Sequence, residues 1–463
     1  MKSLGLPGLG LAAGLLVSSG IAAAQSPAYQ PGMIPADHIF LPEGEVRADV
    51  FLISDAGGWG DNEEQQAQAL VDKGAIVVGI DFPAYLKALR ADDGDCVYMI
   101  SDVESLAHQV QRAAGTSIFN PPIVAGIGEG AALALAMIAQ SPAATIGEAI
   151  AVDPVAGIPL DKQLCTPAAK ERIGDRMVYG LTDGALPAPV SVLFSAKADK
   201  AGRDHVTALV KDHPDIEVRD AEGSAGDALA QALGDRVDAG GNADDPLGLP
   251  LTLLDATPAM DTMAIIYSGD GGWRDLDREV GAVLQEKGIP VIGVDSLRYF
   301  WSKRTPQETA EDLARIIDTY RRKWKVRHVL LAGYSFGADV LPATYNLLPP
   351  DDRARVAQVT LMALSHQVDY EISVEGWLGV SGDGAGGDPV EDIARIDPKR
   401  VQCIYGTDEE DDPCPTLEAR GVESIGITGG HHFDEDYEAL AGRILASLKT
   451  RLGEQDGTTG VSK

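Results

Sequence analysis

Apolar positions along the chain fall into two alternating patterns. Short continuous apolar stretches, among them Met263–Ser268, Pro290–Val294, His328–Ala332, Val356–Leu364, Val401–Tyr405 and Ser424–Ile427, read as buried strands. Between them the apolar residues recur at helical spacing. Asp275 to Glu286 has that period and stops at Gly288, and Phe336–Leu347 follows the strand that starts at His328. Pro306–Arg322 puts Ala310, Leu313, Ala314, Ile317 and Tyr320 on one face. Strands separated by helices, without tight hairpins, predict a mostly parallel α/β sheet. In such sheets ligands bind beyond the carboxyl ends of the strands, so the loops just after each strand carry the chemistry.

The pattern occurs twice. FLISDAGGWGD (Phe51–Asp61) aligns with IIYSGDGGWRD (Ile265–Asp275), matching Ser54 to Ser268 and Trp59 to Trp273 at an offset of 268 − 54 = 214. The offset holds to Asp81 and Asp295, then becomes 207, matching Glu104–Ala107 to Glu311–Ala314 and AGIGEG (Ala125–Gly130) to AGYSFG (Ala332–Gly337). A single change of register in otherwise constant spacing predicts two copies of one domain rather than a short-period solenoid. The domains expected are residues 25–240 and 263–453. A Gly-, Pro- and Asp-rich linker over 241–262 joins them, and 454–463 forms a flexible tail.

Composition narrows the class. With 38 Lys and Arg against 70 Asp and Glu, the net charge is −32. This argues against sequence-independent nucleic-acid binding and against docking on an anionic membrane through a basic patch. Residues 1–24 have the three-part plan of a secretory signal peptide. Lys2 precedes an apolar Gly/Ala-rich run, and small residues at Ala22 and Ala24 place the cut near Ala24–Gln25. A lipobox-like cysteine is missing, and no later run of 18 apolar residues follows, so the expected mature protein is exported, without a transmembrane span, into the periplasm. Cysteines can oxidise there. Cys403 with Cys414, and Cys96 with Cys165, are candidate pairs, with free buried thiols the alternative.

The sharpest chemical signal is GYSFG at Gly333–Gly337, between a strand and a helix. That context makes Ser335 a candidate nucleophile on a strained turn, with glycines letting neighbouring chain pass close. The Phe336 N–H would face a developing oxyanion. A second donor is expected from the SGDGGW loop around Asp270 and Gly271. A serine needs a base oriented by an acid. Of eight histidines, His431 and His432 follow the last strand. The order Ser, acid, His then selects Asp408, first in the run Asp408–Asp412, with Glu409, Glu410, Asp411, Asp412 and Asp369 as lower-ranked acids. His431 is favoured because Gly429 and Gly430 precede it, while Phe433 is expected under the ring of His432. Metal-ligand spacing is missing, and no cofactor is expected. The first copy has Gly128 where the second has Ser335 and no histidine in Ala221–Leu233; Asp199 alone could match Asp408. His205 and His213 are expected on the surface.

SGDGGWRDLD, GVDSLRYFW, GYSFGADVLP and GGHHFD together resemble the VirJ/AcvB family of exported bacterial virulence-associated proteins, and the two-copy length resembles the AcvB type. The resemblance implies two tandem α/β-hydrolase-like domains, the first degenerate. It also implies a periplasmic serine hydrolase that cleaves the aminoacyl ester of lysyl-phosphatidylglycerol. Carried onto this sequence it gives Ser335, Asp408, and His431 or His432. The partner would then be an aminoacylated phospholipid headgroup, whose net positive charge the acidic run could attract. Tyr299, Phe300, Trp301 and Trp377 are candidate lipid contacts. Family links to type IV secretion imply secretion-system partners as an alternative. A non-catalytic periplasmic component, or a thioesterase or peptidase of the same fold, stays open.

Overall fold

The computed structural model describes residues 29–240, 247–372 and 386–459. The expected leader over residues 1–24 and Trp377 lie outside these residues. The first half contains strands β1 (His38–Phe40), β2 (Ala48–Ile53), β3 (Ala75–Ile80), β4 (Ile123–Ile127), β5 (Glu148–Val152), β6 (Lys170–Ile173), β7 (Arg176–Tyr179), β8 (Val190–Phe194) and β9 (Glu217–Asp220). The second contains β10 (Leu251–Leu254), β11 (Thr262–Tyr267), β12 (Val291–Val294), β13 (His328–Tyr334), β14 (Val356–Met362), β15 (Val401–Gly406) and β16 (Glu423–Ile427). The sheets run β1-β3-β2-β4-β5-β8-β9 and β10-β12-β11-β13-β14-β15-β16, with β6 and β7 set apart as a hairpin. The two orders coincide once the hairpin is removed. The sequence repeat is therefore a repeat of topology: two tandem α/β-hydrolase-like domains.

Within each sheet all neighbours run parallel except the edge strands, β1 on β3 and β10 on β12. Both edge strands escape the hydrophobic pattern. β10 lies inside the stretch expected to be a linker, where Leu251 to Leu254 register against Val294 to Val291. The β6–β7 hairpin is also unforeseen. At the C-terminus the last helix, Tyr437–Thr459, continues past the expected domain end at 453. The continuous apolar runs have the physical cause inferred for them: β2, β3, β11, β12 and β14 bury every residue, because helices cover both faces. Those helices are α1 (Asp61–Val71), α2 (Phe82–Ala91), α3 (Ile100–Ala113), α4 (Glu129–Ile138), α5 (Lys200–Asp212) and α6 (Ala225–Ala239) in the first domain. The second adds α7 (Asp275–Glu286), α8 (Ser296–Tyr299), α9 (Pro306–Trp324) and α10 (Phe336–Leu347). Among the described residues no helix is long and apolar enough to cross a membrane. Both candidate cysteine pairs are closed as disulfides, Cys96–Cys165 and Cys403–Cys414.

The domains meet where α3 and the loop after it press on the loop after β12. Tyr299, Phe300 and Trp301, read from sequence as lipid contacts, are only 2%, 0% and 1% exposed. Trp301 belongs to this interface instead, while Tyr299 and Phe300 pack inside the second domain, Tyr299 on Asp312 and Phe300 against Phe336 and Tyr370. The Trp301 indole donates to Thr116 Oγ1 at 2.9 Å, and Arg112 stacks on its ring at 3.7 Å. Phe119 and His108 pack at its edge. His213, expected on the surface, is buried, and His205 is half-buried with a pKa lowered by burial.

His108 yields a stability prediction. It is 1% exposed, and burial, helped by Arg112 and Arg274, lowers its pKa to about 3. Between its ordinary value of 6.5 and about 3 the unfolded chain binds a proton that the folded chain refuses. Stability therefore falls as pH drops through that window, by up to ~1.4 kcal/mol per pH unit from this group. Denaturant melts at pH 7 and pH 5 should show a smaller pH-dependent loss for His108→Gln than for the wild type. Equal losses would remove His108 as the cause.

Candidate active site

The site is built on the elbow between β13 and α10. Ser335 sits at φ 50° and ψ −120°, a left-side conformation that is rare for a residue with a side chain. The flanking glycines explain how the chain permits it. A Cβ on Gly333 would lie 2.4 Å from the Gly337 carbonyl oxygen, and one on Gly337 would lie 2.2 Å from that of Tyr267. Helix and central strand thus approach too closely for any side chain. The Ser335 N–H donates to Met362 O at 2.8 Å, which locks the turn to β14. Phe336 begins α10, so its N–H has no intrahelical acceptor and points into the site from a positive helix end.

The loop after β16 brings His431 to the serine. His431 Nε2 lies 2.9 Å from Ser335 Oγ. His432 takes another partner: its Nδ1 lies 3.1 Å from the Tyr334 hydroxyl, which also contacts the His431 carbonyl. Phe433 does not underlie His432; it is fully buried in the core beside Tyr334 and anchors the loop. Gly429, at φ 104°, supplies the turn, and Gly406 lets the loop cross β15, since a Cβ there would meet Gly430 O at 2.2 Å.

On the other side of His431 the nearest carboxylate is Glu409, not Asp408. Glu409 Oε1 is 3.8 Å from His431 Nδ1, a charge contact rather than a hydrogen bond, of the kind that tightens in a substrate complex. Asp408 is exposed. Its N–H donates to Gly429 O at 3.0 Å, and the tight turn from Gly406 to Glu409 aims its side chain outward. Asp369, the other candidate, has no contact with His431, and Glu410 and Asp411 are exposed or peripheral to it. Asp412 is half-buried. Its Oδ1 accepts from Cys414 N, its Oδ2 has no hydrogen-bond partner, and burial pushes its pKa up to about 6. Two further carboxylates gather here that sequence reasoning missed. Asp339, in the first turn of α10, accepts from Ser365 N at 2.8 Å and is pushed by burial up to about 7. Asp277 lies buried under the oxyanion loop, held by the Gly269 N–H, with its pKa well above the ordinary range through burial. Nothing in the local sequence pattern separates these from ordinary helix carboxylates.

The expected second oxyanion donor shifts by a residue. A Cβ on Gly269 would stand 3.8 Å from Ser335 Cβ, so the chain at Gly269 and the following Asp270 peptide borders the nucleophile. Gly271 instead supports the Arg274 guanidinium, 2.4 Å from its Cβ position.

The first domain keeps the frame and fills the site. Gly128 holds the same elbow, φ 56° and ψ −110°. Asp55, the counterpart of Gly269 at offset 214, sends its Oδ1 2.9 Å from Glu129 N, the counterpart of Phe336 N at offset 207. A Cβ on Gly128 would strike Asp55 Oδ1 at 2.3 Å. A built-in carboxylate thus occupies both the nucleophile position and the oxyanion donor. Asp199 caps α5 by accepting from Ala201 and Gly202 N. Among the described residues no group of three or more His, Cys, Asp or Glu is placed to hold a metal.

A base must be neutral, and burial lowers the His431 pKa from 6.5 while Glu409 opposes the shift. The rate of Ser335 modification should therefore be at plateau at pH 7, with its acid midpoint below 6.5. Glu409→Gln removes the anion that favours the imidazolium, so the midpoint moves lower still and the plateau falls by roughly 10²-fold. Asp408→Asn should leave the midpoint in place. A midpoint that follows Asp408 rather than Glu409 would return Asp408 to the orienting role.

Comparison with known proteins agrees with this geometry in one region. Residues 261–452 match the model of the family described as bacterial virulence protein (VirJ). No curated protein matches the chain. Among solved structures, a lipase-esterase related protein from Clostridium acetobutylicum is 16% identical over 42% of this chain and 99% of its own, with a TM-score of 0.31. Est1E from Butyrivibrio proteoclasticus is 14% identical over 44% and 94%, with a TM-score of 0.31. The α/β hydrolase GrgF from Penicillium sp. sh18 is 13% identical over 43% and 93%, with a TM-score of 0.32. At these scores the fold assignment rests on strand order and elbow geometry.

Proposed function

We propose that this chain, whose residues 261–452 form a VirJ-family domain, is an exported serine hydrolase that cleaves the aminoacyl ester of aminoacylated phosphatidylglycerol, chiefly the lysyl form. The observation that carries the reading is the 2.9 Å contact between His431 Nε2 and Ser335 Oγ on a strained elbow. Ser335 Oγ attacks the aminoacyl carbonyl as His431 Nε2 takes its proton, with Glu409 holding the Nδ1 side of the ring. The oxyanion forms against the Phe336 N–H and the N–H of the Gly269–Asp270 peptide. Phosphatidylglycerol leaves with the proton returned by His431, and water then releases the amino acid. His432 holds the loop through Tyr334.

The substrate class has its own support. Asp270, Asp339, Glu409 and Asp412 surround the Ser335–His431 pair closely enough to affect one another or His431. The Asp339 and Asp412 carboxyls are pushed up by burial, with no Lys or Arg paired to them among the described residues. Ammonium groups of a lysyl ester would supply that missing charge. Periplasmic export and removal of the leader are part of the same reading, and would place the enzyme facing the lipid.

A second reading, a non-catalytic component of a secretion apparatus, draws on the same VirJ match. A serine-reactive fluorophosphonate decides between them. Labelling of the wild type but not of Ser335→Ala supports the hydrolase; an unlabelled wild type favours the binding role.

A further inference from the structure

We propose that the disarmed first domain is a positioning element for the second, bracing both oxyanion donors through Glu104, Thr145 and the loop after α3. This rests on the serine-hydrolase reading above. The first brace reaches the loop after β11. Arg274 Nη1 bonds Glu104 Oε1 at 3.0 Å and Thr145 Oγ1 at 3.1 Å, both from the first domain. The Glu104 side chain is only 9% exposed and Thr145 only 2%. The guanidinium so held lies against Gly271, with its Nη2 2.4 Å from where a Cβ would stand. It fixes the backbone that runs from Gly269, beside Ser335, to the start of α7. The first copy carries Gly60 at the position of Arg274, so the disarmed site has no such brace.

The second brace reaches Phe336. Thr116 accepts from the Trp301 indole, Phe119 packs on the Trp301 ring and its carbonyl accepts from Arg298, and Ser117 O accepts from Ser302. Arg112 covers Trp301 and donates to Ile372 O, while Ile372 N donates to Phe300 O. Phe300, thus enclosed, packs edge-on against Phe336 at 5.0 Å between ring centroids. Phe336 owns the N–H next to the nucleophile. Both arms of the oxyanion hole therefore end on elements gripped by a domain that does no chemistry. Preorganised donors lose effect steeply when displaced by even an ångström.

The test uses the full chain and rates normalised to titrated active sites. Glu104→Gln keeps the shape of the side chain and removes its charge. It should lower kcat on an activated ester, and the fluorophosphonate labelling rate, by about 10- to 100-fold, with KM changed less than about three-fold. The double variant Glu104→Gln/Arg274→Gln should be no slower than the slower single variant, because the two act as one unit. A purely structural role would reduce the titratable fraction and leave the rate per site intact, and that result overturns the proposal. If Glu104→Gln does not fold, Thr145→Val decides: a fall of about three-fold or more per site supports the brace, and a wild-type rate overturns it. A wild type that labels no better than Ser335→Ala overturns the hydrolase reading and this one together. Normal labelling in Glu104→Gln overturns this one alone.

Discussion

Ser335→Ala should hydrolyse an activated ester about 10⁴-fold or more slowly than the wild type while melting within a few degrees of it. The reason is local. Ser335 Oγ is the hydroxyl that His431 Nε2 reaches, at 2.9 Å, and the elbow already accommodates a Cβ at φ 50°, so alanine removes chemistry without new strain. His431→Ala should lose a comparable factor, and the double variant little more, because nucleophile and base act as a unit. His432→Ala should behave differently. It removes the ring on the Tyr334 hydroxyl, 3.1 Å away, and leaves the proton acceptor in place. Initial rates with a p-nitrophenyl ester, beside thermal melts, measure all of these. A Ser335→Ala rate within ten-fold of wild type would sink the nucleophile assignment.

Gly337→Ala should be the most damaging conservative change in the fold. The added Cβ would sit 2.2 Å from Tyr267 O and 2.7 Å from Ser268 O, both backbone atoms. β11 cannot yield, because it is buried along its length and hydrogen-bonded to β12 on one side and β13 on the other. Helix α10 must lift instead, which tilts the Phe336 N–H away from the nucleophile. A loss of about 3 kcal/mol or more is expected, roughly 6–12 °C in Tm for a domain of this size, with activity lost beyond the unfolded fraction. Gly442, in the C-terminal helix, has nothing within 4 Å of its Cβ position. Gly442→Ala should therefore leave Tm unchanged or raise it slightly. A Gly337→Ala protein as stable as Gly442→Ala would mean that the helix and strand are not in the contact described.

The nucleophile turn was legible because its physics is written in three residues: two glycines that must lack side chains and a serine between them. The repeat was legible because buried parallel strands demand continuous apolar runs, and two matched sets of runs recur. That the first copy has no side chain at its elbow was visible at Gly128. The Asp55 carboxylate that fills its elbow went unread, although the same offset that pairs Ser54 with Ser268 pairs Asp55 with Gly269. Which carboxylate lies beside His431 was not legible. Five carboxylates follow one another, and backbone bonds in the turn, closed by the Cys403–Cys414 disulfide, decide which one faces the histidine. Edge strands β1 and β10, three and four residues long, show no usable period. Trp301 misled as a surface aromatic because a single sequence does not reveal that its own first half covers it, and Tyr299 and Phe300 because their partners, Asp312, Phe336 and Tyr370, lie farther along the chain.

Release of free lysine from vesicles containing lysyl-phosphatidylglycerol, by the purified mature protein and by its Ser335→Ala form, is the most direct measurement. The wild type should convert the lipid to phosphatidylglycerol and lysine in equal amounts, and Ser335→Ala should release none above background. Intact lysyl lipid in the presence of a wild-type protein that still labels at Ser335 would contradict the assigned substrate, and equal lysine release by both proteins would contradict the assigned nucleophile.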